Sequence, residues 1–216
     1  ALGAARQMDD SAAVLAAEGL DREKLLRRTD GIIGRELRGK GSGGRDAYRF
    51  LGSLTCRGPV WRFDSVQALC PKIYQLQDAY GLAAPMLQRL HAAASARGFS
   101  AVVCPDPEHA ERIQHLLLPE LGLGFVTSRE GMAYTGPAYR RVRMDAMVSA
   151  SHYKRFKARL RFSARVSNAL REEGLEALQE AKAAHDQLEA VYHPHVDFAG
   201  VQQLAEEELT RIESYL

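Results

Sequence analysis

The six-residue run Lys72–Gln77 (KIYQLQ) leads through the loop 78–83 into a helical stretch at 84–97, made of strong helix formers and stopped by Gly98. An apolar run, SAVVC at 100–104, follows at once. Two short strand-forming runs joined by one helix are the sequence form of a strand–helix–strand crossover, which places both strands in one parallel sheet. This unit restricts the fold more than any other part of the chain. Further strands are expected at 47–55 and 60–63 around the turn Gly58-Pro59, and at 116–118 and 122–127. Short helices are expected up to Cys70 and after Pro105-Asp106-Pro107, whose prolines end the second run. The expected fold class is α/β, a three-layer core with a mainly parallel sheet.

Helical periodicity flanks this core on both sides. Residues 8–37 carry spaced apolar positions, with Asp21 placed as the N-cap of a second helix. Residues 38–45 hold four glycines in eight positions, which reads as a flexible linker. A helix is expected over 149–192, His193-Pro194-His195 breaks it, and Asp197 caps a last helix running to residue 216. The organisation is therefore a helical segment (1–37), a linker (38–46), an α/β core (47–148) and a helical appendage (149–216). The two ends also match at an offset of 176 residues: Asp10 falls on Asp186, Asp21 on Asp197, Arg35 on Arg211, Leu25 on Val201 and Ile33 on Leu209. Both ends follow one plan, a helix, a break, an Asp N-cap and an amphipathic helix. On that reading the first 37 residues are the end of a preceding repeat.

The strand–loop–helix unit has the layout of a phosphate-binding loop. A working loop of pattern GxxxxGK[ST] surrounds phosphate with backbone N–H groups at a helix N-terminus, while its Lys reaches the β/γ-phosphates and its hydroxyl holds Mg²⁺. Here Asp78 and Ala83 stand where glycines belong, Ala84 where Lys belongs and Pro85 where Ser/Thr belongs, leaving Gly81 inside the loop. From Tyr48 onward, about four-fifths of the chain, the sequence resembles a poorly characterised bacterial family of two-repeat P-loop ATPase-like proteins. The resemblance is carried by Lys72-Ile73-Tyr74, Arg97-Gly98, Cys104-Pro105-Asp106-Pro107, the run IQHLLLPELG at 113–122, Thr127-Ser128, His185-Asp186-Gln187-Leu188-Glu189 and Val196-Asp197-Phe198. It implies that the chain is the second half of such a protein, preceded by the last helices of the first half, with that first repeat as its partner.

The departures from the pattern set the functional expectation. Without Lys and Ser/Thr, and with Thr127-Ser128 where a Walker B Asp would hold Mg²⁺, neither phosphate nor metal has its usual ligand. The vestigial positions Asp78, Gly81, Ala83, Ala84 and Pro85 are not expected to bind, so no catalytic residue, metal or cofactor is assigned. The expected role is a structural or regulatory half without catalysis. One alternative is an ATP- and Mg²⁺-dependent hydrolase with non-standard phosphate contacts, in which Arg140 or Lys154 replaces the missing Lys. Another is a nucleic-acid module built on basic residues. Residues 138–166 hold nine Lys and Arg against Asp145 alone, and Lys154, Lys157, Arg161 and Arg165 share one helix face, so Arg140 and these four are the candidate anion contacts.

From 167 to 216 the balance reverses, with eleven acids against three cations. That acidic stretch makes a solvated, paired face the favoured reading of the basic helix, against nucleic acid. His193 and His195 with Asp197 read as a turn and cap rather than a metal site. Cys104 reads as a buried small side chain rather than a nucleophile. The whole chain carries a formal net charge of only +2 and three widely spaced cysteines, and no apolar run reaches the ~20 residues of a membrane span. A cytoplasmic protein with reduced thiols and no membrane partner is expected.

Overall fold

A computed structural model describes residues 1–215, which form two compact units, Ala1–Leu175 and Glu176–Leu216. The first begins with helices α1 (Leu2–Glu18) and α2 (Arg22–Glu36). The Asp21 side chain accepts the Lys24 N–H at 2.9 Å and so caps α2 as expected. Strands β1 (Asp46–Tyr48), β2 (Gly52–Thr55) and β3 (Gly58–Trp61) precede a short helix, α3 (Phe63–Leu69). Then come β4 (Lys72–Gln77), α4 (Ala84–Ser95), β5 (Ala101–Asp106), β6 (His109–Leu118), β7 (Leu123–Ser128) and β8 (Arg140–Arg143). Helix α5 (Ala150–Tyr192) follows, and its residues up to Leu175 belong to this unit.

Six strands form one sheet in the order β1-β5-β6-β7-β4-β8, and β2–β3 make a separate antiparallel hairpin. The sheet is mostly parallel but mixed. Strand β4 lies parallel to both β7 and β8, and β1 is parallel to β5, whereas β6 is antiparallel to each of its neighbours. The expected helix after Pro107 is therefore absent, and a tight turn at 107–108 sends the chain straight back as β6. Pro105 does not end β5. The register shifts on both sides of Pro105 in its pairing with β6, and such an irregularity accommodates a residue without an N–H. Likewise the single strand expected at 47–55 divides, β1 joining the large sheet and β2 the hairpin.

Alternation along the strands builds two apolar layers. Tyr74, Leu76, Leu116, Leu118, Leu123 and Phe125 face helices α4, α2 and α1, where Met86, Leu87 and Leu90 are fully buried, each such side chain worth about 1.5–3 kcal/mol. On the opposite face Ile73, Cys104, Leu117 and Val126 pack with Val66 and Cys70, at α3 and its C-terminal end, and with Leu51 and Tyr134. The glycine-rich segment is docked rather than slack. The N–H groups of Gly41, Gly43 and Gly44 donate to the carbonyls of Arg97 and Gly98 at 2.8–3.1 Å, and a Cβ on Gly41 would stand 2.1 Å from the Gly98 oxygen. Gly41 and Gly44 supply close backbone approach, while Gly43 supplies a positive φ of 100°.

In the second unit, the last part of α5 is followed by a single tight turn at His193–His195 and by α6 (Phe198–Glu213). Asp197 accepts the Gly200 N–H at 3.0 Å, so the His-Pro-His segment is the turn and the Asp the cap, as read from sequence. Among the described residues no helix is long and apolar enough to cross a membrane.

Candidate functional site

The loop after β4 opens at the C-terminal end of the sheet, where α/β folds of this type hold ligands. Asp78 continues the strand ladder, its N–H donating to the Ser128 carbonyl at 3.0 Å. Its side chain then turns into the loop. Oδ1 accepts the N–H groups of Tyr80 (3.2 Å) and Leu82 (2.9 Å), and Oδ2 accepts that of Ala83 (2.7 Å). Gly81 takes the positive φ of 72° that lets the chain curl around the carboxylate. Successive backbone N–H groups converging at the start of a helix are the donors of an anion nest. Here the protein's own carboxylate fills it.

Beyond any repulsion of phosphate, the Asp78 carboxylate takes three donors that a phosphate would need. Asp78 is almost wholly buried. Burial pushes its carboxyl above the usual range, opposed by the hydrogen bonds from Ala83, Leu82 and Tyr80 and by the charge of Arg129. Ala84 offers no cation, and Pro85, in the first turn of α4, no N–H.

Above the loop lies a cavity of about 90 Å³ with a largely apolar wall, into which acids also project, Asp9 and Asp10 from α1, Asp106 at the end of β5 and Glu108 from the β5–β6 turn, beside Arg112 and Arg129. These acids are tied to cations. Asp10 meets His109 and Arg112, each at 3.0 Å, and Arg171 joins Asp9 (2.6 Å) to Glu108 (2.7 Å). Burial opposes the charge of Arg171, but hydrogen bonds to Glu108 and Asp9 outweigh it and hold its pKa up. A phosphate entering here would meet a nest already filled by Asp78.

Thr127 and Ser128, which stand where the sequence pattern would put a Walker B Asp, are also committed to the fold. The Thr127 N–H donates to His115 Nδ1 at 3.1 Å, and Ser128 Oγ accepts the Tyr134 N–H at 3.1 Å. Since Nδ1 accepts, the proton of neutral His115 sits on Nε2, which has no partner among the described residues. Burial, with the charge of Arg129, lowers the His115 pKa to about 3. Cys104 is buried beside Cys70, and burial followed by that neighbouring thiol raises it to about 11, so it is not poised as a nucleophile.

The five candidate anion contacts are not brought together. Arg140 lies at the start of β8, in register with Tyr74 four residues before Asp78, and its guanidinium sits 5.3 Å from the Tyr139 ring. Lys154, Lys157, Arg161 and Arg165 are exposed on α5. Of these, Arg161 reaches the loop electrostatically. Burial first, then Tyr153 and Asp145, raise Tyr80 to about 12, and Arg161 opposes them. The loop's own cations are Arg129, just beyond β7, and Arg143 at the end of β8, which pairs with Asp145 at 2.9 Å. Sequence reasoning passed over both, although each sits at the C-terminal end of a strand flanking β4. His185, Asp186 and Glu189 are the one group of metal-ligand type among the described residues; two of them are exposed, and Asp186 pairs with Lys182.

No protein-family model matches the chain, and no curated protein or solved structure matches it.

Proposed function

We propose that this chain is a P-loop-like half without catalytic function, a structural or regulatory partner of an ATP-binding repeat outside it. The observation that carries this reading is the Asp78 carboxylate seated on the N–H groups of Tyr80, Leu82 and Ala83. The strand–loop–helix layout supports descent from a phosphate loop, and the missing Lys and Ser/Thr remove the groups for grip and metal. A lost charge-assisted bond alone costs about 1.5–3 kcal/mol of binding.

Calorimetric titration of the full chain with ATP and MgCl₂, paired with a phosphate-release assay, tests the proposal. No binding heat and no release are expected. Micromolar affinity with Mg²⁺-dependent turnover would overturn it.

A further inference from the structure

The second unit leaves a complete apolar stripe bare. On α6, Phe198, Val201, Leu204, Leu209 and Ile212 recur at helical spacing on one face, and each is more than half exposed. Leu188 and Val191 of the preceding helix are exposed as well. Scattered exposed apolar residues need no explanation, but a stripe along a whole helix does.

The first unit contains the answer to what such a hairpin covers. At the 176-residue offset, α2 and α6 start with the same cap: Asp21 accepts from residue 24 at 2.9 Å and Asp197 from residue 200 at 3.0 Å. Leu15 and Leu25 are buried at 8% and 4% exposure, whereas their counterparts Val191 and Val201 stand at 70% and 58%. Ile32 falls on Glu208, flanked on the stripe by Leu204 and Ile212. Helices α1 and α2 bury their apolar positions in the layer they share with α4 and one face of the large sheet.

Charge points to the same occupant. Asp30 holds Arg89 of α4 by two hydrogen bonds of 2.6 and 3.0 Å, and Asp10 holds Arg112. Their counterparts are Glu206 and Asp186, so the second hairpin carries acids where the first one meets the cations of a core. The unit Glu176–Leu216 holds nine acids against Lys182 and Arg211, which disfavours an anionic lipid surface.

We infer that the hairpin of the second unit docks on an α/β core of the same build as residues 46–148, in the place that α1 and α2 occupy on this one. The occupant is a core that lacks a hairpin of its own and offers cations at the places of Arg89 and Arg112. The inference rests on the reading of a partner repeat and names the surface by which the two halves hold each other, each capping the other's core.

A tandem chain, residues 38–176 followed directly by residues 1–216, keeps the repeat register and supplies such a core. Hydrogen exchange over Phe198–Glu213 is compared between the tandem and the single chain. At least about tenfold slower exchange in the tandem is expected, with Leu204→Asp restoring the fast rate. In the single chain Leu204→Asp should leave the melting temperature unchanged. Equal exchange in both chains overturns the inference, including the case where the added core stays unfolded, because the docked hairpin is what should complete it. Equal protection in the single chain, with dimers by light scattering, also overturns it, because the hairpins then pair with each other. Both loops of the tandem lack Lys and Ser/Thr, so this readout is independent of ATP binding and separates failure of docking from failure of the non-catalytic reading.

Discussion

The carboxylate of Asp78 lies 2.7 Å from the N–H of Ala83, five residues ahead, and the same side chain also holds the N–H groups of Leu82 and Tyr80. A buried N–H left unpaired costs about 1–3 kcal/mol, so Asp78→Ala should destabilise the chain by about 2–4 kcal/mol, read as a lower urea midpoint. The variant also empties an anion nest. Inorganic phosphate or sulfate should then raise its melting temperature while leaving the native chain unchanged. Equal responses of the two proteins would show that the nest is not the anion site.

Much of this loop was legible in the sequence, but not its most important contact. The run KIYQLQ and the capping positions of Asp21 and Asp197 carry local signals, and all three appear where the pattern puts them. The partners of Asp78 were hidden because the donors are backbone groups and depend on how the loop curls at Gly81. Asking where the first N–H groups of α4 go would have pointed to that Asp. Strand β6 escaped for a different reason. Its polar first half, HAERI, runs beyond the fully buried part of the sheet, so it lacks the apolar signature of a strand. Its buried half ends in the run Leu116-Leu117-Leu118, which was recognised.

Glu36 at the end of α2 anchors that helix to the sheet. Its side chain is almost fully buried, with Lys72 Nζ and Tyr74 Oη each at 2.6 Å. Burial opposes ionisation of Glu36, yet the hydrogen bonds from Lys72, Tyr74 and Arg35 together hold its pKa below the usual value. Glu36→Ala should cost about 1–3 kcal/mol in chemical denaturation. Glu36→Gln should cost less, because the amide oxygen still accepts from Tyr74. A larger loss for Gln than for Ala would contradict this arrangement.

His115 should make the chain sensitive to mild acid. Its folded pKa of about 3 lies far below the ~6.5 of the unfolded chain, because burial and then Arg129 disfavour the imidazolium. Between these values the unfolded chain binds a proton that the folded one does not. Stability therefore falls as pH drops from about 6.5 toward 3, and this contribution is complete above that window. His115→Asn keeps an acceptor near the Thr127 N–H without a titrating ring. The slope of unfolding free energy against pH should be shallower in the variant over that range, and an unchanged slope would assign the acid sensitivity to other groups.

The two hairpins offer a paired test in one molecule, since Leu25 and Val201 occupy equivalent positions with opposite surroundings. Leu25→Ala empties space between α2 and the core and should cost about 2–4 kcal/mol. Val201→Ala removes an exposed branched side chain from a helix, where alanine is the better former, so its effect should stay within about 0.5 kcal/mol and lean toward stabilisation. Urea denaturation of both variants measures the contrast. A cost for Val201→Ala approaching that of Leu25→Ala would mean that α6 is already covered in the single chain, and the stripe would then have no free face to offer a second core.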